Sequence, residues 1–140
     1  MNRRKRTEIL IKGNEKLAKK FADEIRKKYQ VKNIEEPNHG LVMIKMRETA
    51  KKELFYLGEV LVSEAKVYVE DTLGMGVVIG DKEELAGNLA VIDAAYKQGL
   101  IETESWEQVL VEEDEKNQKR ENLEQARILK TKVDFSTMDV

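Results

Sequence analysis

Cysteine is absent from this 140-residue chain, and histidine, proline and tryptophan occur once each. Without cysteine there is no disulfide framework and no thiolate chemistry, which fits a reducing cytoplasm. Metal centres usually draw on histidine or cysteine, so none is expected. His39 lies in a polar stretch and reads as an exposed bystander, leaving Ser-His-Asp and Cys-His schemes without their parts unless another chain supplies them. No apolar run approaches the roughly 20 residues that span a bilayer. The run Ile9–Ile11 is too short for a signal-peptide core. The expectation is a cytoplasmic protein with no membrane contact.

Charge is plentiful. The net value of −2 hides an asymmetry: residues 1–30 carry 11 Lys and Arg against 4 Asp and Glu, and residues 101–125 carry 3 against 9. The two ends either attract each other or face different partners. The basic run Arg3–Arg6 has no interleaved aromatics and the chain as a whole is acidic, so it reads as a basic tail and no nucleic acid is expected.

Periodicity organises the rest. Leu17, Phe21, Ile25 and Tyr29 recur every fourth residue on a basic helix that begins at Asn14. Pro37 and Gly40 mark Asn33–Gly40 as a loop. From Leu41 the period becomes two, through "LVMIKMR", a polar turn "RETAKKE", and "LFYLGEVLVSEAKVYVE". Asp71–Thr72 reads as a hairpin tip, and "LGMGVVIG" returns, making an antiparallel meander of three or four strands. Asp81 and Glu84 form a capping box for a helix whose buried stripe is Leu85, Leu89, Ile92 and Tyr96 and whose stop is Gly99. A last helix spans Ser105–Lys130. Its middle, Glu112–Asn122, has no apolar residue and is expected to project from the globule or bridge to another chain.

Three glycines at the end of the meander raise a functional question. Gly74 and Gly76 fit the start of a dinucleotide fingerprint, but the third position falls on Ile79, and no Gly-Lys-Ser/Thr follows. Glycines two apart in a strand mark a bulge or the close approach of another backbone. Gly80 supplies a strand-to-helix corner. The alternative is a nucleotide- or phosphate-binding module that uses the free N–H groups of Gly80–Glu83 together with Asp93.

Most carboxylates sit in wet segments and make poor acids or bases. Two stand apart. Asp93 falls on an apolar helical stripe, where it must bond to a backbone donor or serve a site or interface. Glu59 follows Gly58 inside a β-rich stretch, as a solvent-facing residue or an interface one.

The blocks "GLVMIKM", "LGEVLVSEAKVYV", "LGMGVVIGDKEELAGNLAVIDAA" and the closing "VDFSTM" occur in an order and spacing that resemble the PhnG family, a small subunit of the bacterial carbon–phosphorus lyase system. The family often has Arg-Asp where this chain has Asp81–Lys82, and a second aromatic where it has Ser136. The resemblance implies a multisubunit core with PhnH-, PhnI- and PhnJ-type partners. That core takes MgATP and an alkylphosphonate and displaces adenine to give a ribose 1-alkylphosphonate 5-triphosphate. It implies a required but non-catalytic subunit, binding no cofactor or metal by itself.

The fold expected is α+β: N-terminal helices, a central antiparallel meander, two C-terminal helices and an extended tail. One domain would cover 1–131, with a basic helical region at 1–30, the sheet at 41–80 and helices at 81–131. Residues 132–140 would dock on a partner by strand addition, with Val133, Phe135 and Thr137 on one face and Asp134, Ser136 and Met138 on the other. Gly58 and Glu59 join that interface as candidates. No catalytic residue is expected.

Overall fold

The computed structural model describes residues 1–47 and 54–138, and within these it leaves the side chains of residues 35, 36, 43–47, 54–57 and 132–138 undescribed. Four helices and three strands follow in the order α1 (Arg3–Lys12), α2 (Glu15–Lys28), β1 (Val31–Arg47), β2 (Leu54–Val69), β3 (Thr72–Ile79), α3 (Glu83–Gln98) and α4 (Glu102–Met138). The strands form one antiparallel sheet in the order β1-β2-β3. The architecture is α+β. The expected polar turn between the first two strands lies outside the described residues.

Helix starts follow local chemistry. The Asn2 side chain accepts from the Lys5 N–H at 2.8 Å, and the Asn14 side chain accepts from the Lys16 N–H at 3.0 Å, so each of the first two helices opens on a side-chain cap. In α3 the cap is different from the Asp81–Glu84 box that the spacing predicts. The helix begins at Glu83, and its first turn is tied down by Ser63, whose hydroxyl accepts from the Lys82 N–H at 2.8 Å and donates to the Gly80 carbonyl at 2.7 Å. The Asp81 carboxylate is drawn away to His39. Gly99 ends the helix as expected, at φ 70°, with the Leu100 N–H reaching the Ala95 carbonyl.

The core lies between the sheet and the helices. Ala65, Val67 and Val69 of β2 and Val78 of β3 are buried, and α3 packs across this face. Every α3 residue from Leu85 to Ala95 is buried except Gly87, far beyond the single stripe that periodicity predicts, because α2 covers the side of α3 away from the sheet. Trp106 seals the far end: its ring stacks on Phe21 at 4.5 Å and its Nε1 donates to Glu24 at 3.0 Å.

Three expectations fail for identifiable reasons. The Asn33–Gly40 loop is part of β1. The strand reaches Pro37 as a sheet edge with register shifts between Asn33 and Asn38, and an edge with bulges tolerates a proline that a central strand would not. The tail expected to be extended continues α4 to Met138. No proline or glycine interrupts the segment, and adding residues to an existing helix avoids the cost of nucleation. The charged middle of α4 does not stand free. Lys5 pairs with Asp114 at 3.4 Å, Lys12 with Glu121 at 2.9 Å, and Asn117 donates to the Ile9 carbonyl at 3.2 Å. The acidic stretch is thus matched to the basic α1. At 1.5 Å per residue α4 is about 55 Å long, and from Gln118 to Thr131 its residues are all exposed.

Candidate functional site

Gly74 and Gly76 face α3, and they answer the glycine question. A Cβ on Gly74 would overlap the Ala90 carbonyl oxygen, and one on Gly76 would overlap that of Ala86. Ala86, Ala90 and Ala94 recur every fourth residue on α3, so a stripe of methyls meets a pair of glycines and the helix backbone lies directly on the strand. The motif is a packing device. The helix start beside it is a poor seat for phosphate: Asp81, Glu83 and Glu84 would oppose an incoming anion, and Ser63 already takes the Lys82 N–H.

That close approach places Asp93 at the rim of β3. Its side chain is only 5% exposed. Oδ2 accepts from the Met75 N–H at 3.0 Å and lies 3.1 Å from Lys97 Nζ, while Oδ1 lies 3.1 Å from Arg3 Nε. Asp93 therefore meets the backbone donor that its position on an apolar stripe demands, together with two cations. Oδ1 closes no hydrogen bond despite its ion pair, because the Arg3 N–H is misaligned.

Around Asp93 runs a groove of about 640 Å³ between α1, β3 and α3. Leu10, Leu89, Ile92 and Val77 supply apolar walls, and Arg3, Arg4, Arg6 and Lys12 supply cations. Arg6 is 7% exposed. Its guanidinium lies 3.8 Å from the centre of the Tyr96 ring, and among the described residues no acceptor hydrogen-bonds it. Burial lowers its pKa, opposed by the Tyr96 and Asp93 charges. Burial also pushes the Tyr96 hydroxyl up to about 12, and that oxygen is buried without a hydrogen-bond partner. The run Arg3–Arg6 that reads as a basic tail is thus one turn of a packed helix, with Arg6 turned inward.

A second cluster lies at the α3 corner. His39 Nε2 is 2.7 Å from Asp81 Oδ1, and His39 Nδ1 is 3.2 Å from Glu83 Oε1. His39 sits in β1 and clasps it to the helix start, so it is not a loop bystander. These three are the described residues that could offer ligands to one metal ion. All are exposed, both ring nitrogens already face carboxylates, and a cation would sit against the positive end of α3. The arrangement is a clasp of the His39 ring between two carboxylates.

The remaining candidates are dispersed. Gly80, at φ 98°, is the corner residue. Gly58, at φ 152°, follows the register shift between Ile44 and Lys45, and Glu59 beside it is exposed on the two-stranded arm beyond the end of β3. The structure gives neither a contact with Asp93 or Gly80. Val133, Asp134, Phe135, Thr137 and Met138 lie in the last turns of α4, with their side chains outside the description. Arg3 and Arg6 as a site were missed by composition alone. Their spacing of three, one turn of a helix, was the available signal.

Among the described residues no helix is long and apolar enough to cross a membrane. No curated relative matches the chain. A family described as phosphonate metabolism protein PhnG matches residues 1–139. The match runs unbroken through the arginine helix, the glycine-bearing strand and α3 with its Asp93, and on this ground the chain belongs to the PhnG family of phosphonate metabolism.

Proposed function

We propose that this protein is a non-catalytic subunit of a multisubunit transferase that displaces adenine from MgATP with an alkylphosphonate. The product would be a ribose 1-alkylphosphonate 5-triphosphate, and PhnH-, PhnI- and PhnJ-type subunits would be its companions in the cytoplasm. MgATP is a substrate of the assembly, and this chain binds no cofactor alone. The observation that carries the reading is the outer half of α4. Leu123 and Leu129 are 68% and 63% exposed, with Ala126 between them on the same face, and nothing within the described residues packs on them. A helix that leaves its globule and still carries an apolar stripe is suited to docking in a partner's groove. The β1–β2 arm supports the same conclusion. Beyond Val62 no third strand among the described residues pairs with it, and two strands alone are marginal in water.

Reconstitution tests the proposal. Adenine release from MgATP and methylphosphonate is measured with all four subunits and with this chain left out. The expected result is loss of activity on omission and none from this chain alone. Full activity without it, or turnover by it in isolation, refutes the role. Charge substitutions Leu123→Glu and Leu129→Glu are expected to prevent co-purification with the PhnI-type subunit while circular dichroism of the isolated chain is unchanged.

A further inference from the structure

The free edge of β3 is protected over only half its length. Antiparallel pairing alternates the direction of backbone groups, and the Gly80 N–H bonds the Leu61 carbonyl of β2. By the same alternation Leu73, Met75, Val77 and Ile79 turn their N–H and C=O groups outward. Side chains cover the first two. Lys97 donates to the Leu73 carbonyl at 3.4 Å, Asp93 takes the Met75 N–H, and Arg3 donates to the Met75 carbonyl at 3.5 Å. No described residue bonds the outward groups of Val77 and Ile79, whose side chains are 47% and 71% exposed. Folded proteins normally blunt such an edge with a lysine, a proline or a bulge. None of these is present at Val77–Ile79.

The arginine groove opens beside this bare stretch, since Val77 lines it. It holds Arg3, Arg4, Arg6 and Lys12 against Glu8 and Asp93, and among the described residues no carboxylate lies within ion-pairing distance of Arg4 or Arg6. We infer that the edge of β3 at Val77–Ile79 receives an extended segment of a companion subunit, in which acidic residues flank apolar ones. The segment adds to the sheet as a fourth strand, its apolar side chains fill the groove, and its carboxylates meet Arg4 and Arg6. A second copy of this chain fits less well. A two-fold β3–β3 pairing brings each arginine groove against its twin and sets like charges together.

This inference rests on the subunit reading above, and the experiment separates the two. Residue-resolved hydrogen exchange is measured on the full chain alone and in the assembly with its co-expressed companions. Alongside, Val77→Pro removes an outward N–H without touching the β2 ladder, and Arg4→Glu reverses the unpaired charge. The expected result is at least tenfold slower exchange of the Val77 and Ile79 amides on assembly, and at least tenfold weaker association of each variant. If the assembly forms while these two amides exchange as in the free chain, the edge proposal is overturned and the subunit reading stands. If no assembly forms, the subunit reading falls first. Protection that rises with concentration of the chain alone indicates self-pairing and overturns the proposal. Should Val77→Pro not fold, the wild-type exchange data and Arg4→Glu decide.

Discussion

Replacing Gly74 with alanine adds a single methyl group, and the structure specifies where it goes. The new Cβ overlaps the Ala90 carbonyl oxygen and lies 2.7 Å from both the Cβ and the N of Ala94. These are backbone atoms and a methyl of a helix packed between the sheet and α2, so no rotamer change relieves the clash. Overpacking of this kind costs about 1–3 kcal/mol, and a rigid helix backbone argues for the upper end. Alanine recovers roughly 0.5–1 kcal/mol over glycine in a strand, which leaves a net loss of about 2 kcal/mol. For a chain of this size that lowers the melting temperature by roughly 8 °C. The matched control is Gly87→Ala in the middle of α3, where nothing lies within 4 Å of the added atom. There the same methyl is expected to stabilise by about 0.5–1 kcal/mol. Urea titrations of the three proteins with a common slope measure both changes. If Gly74→Ala lies within about 0.5 kcal/mol of wild type, α3 does not rest on the strand as described, and the placement of Asp93 loses its basis.

Asp93 and Tyr96 give two further tests. Asp93→Ala removes the acceptor of the Met75 N–H while Arg3 and Lys97, both largely exposed, regain water, so the expected loss is about 1–3 kcal/mol. Asp93→Asn keeps an acceptor for that amide and should lose clearly less; equal losses in urea titration would assign the stability to the ion pairs instead. Tyr96→Phe deletes a buried hydroxyl that has no partner and keeps the ring beneath Arg6, so stability at neutral pH should be equal or higher. Its pH dependence has a definite sign. The unfolded tyrosine ionises near pH 10 and the folded one only near about 12, so the contribution is complete below 10 and is lost as the pH rises between those values. The phenylalanine variant should show a shallower fall across that window, and identical curves would rule out Tyr96 as the group involved.

The candidate site was legible in fragments. Asp93 announced itself because a carboxylate on an apolar stripe needs a partner, and the partner proved to be a backbone N–H of the neighbouring strand. Its cationic neighbours were not legible. Arg3 and Arg6 lie in a run of four basic residues, where nothing local separates a solvated side chain from a buried one. His39 was hidden for a similar reason: Pro37 and Gly40 carry turn chemistry that an edge strand with bulges absorbs.

Local pattern alone determined helices α2 and α3, the meander, the Gly99 stop and the small-residue character of the strand that meets α3. Each depends on neighbours along the chain: alternation, helical spacing, the conformational freedom of glycine. Tertiary structure decided which of the many charges are partnered, because the acidic stretch of α4 meets α1 across about a hundred intervening residues, as in the Lys12–Glu121 pair. It also decided that Ser63, and not Asp81, secures the start of α3. And it alone left the Val77–Ile79 edge without a partner among the described residues, since whether a strand edge is covered depends on where distant side chains end, which no window of sequence contains.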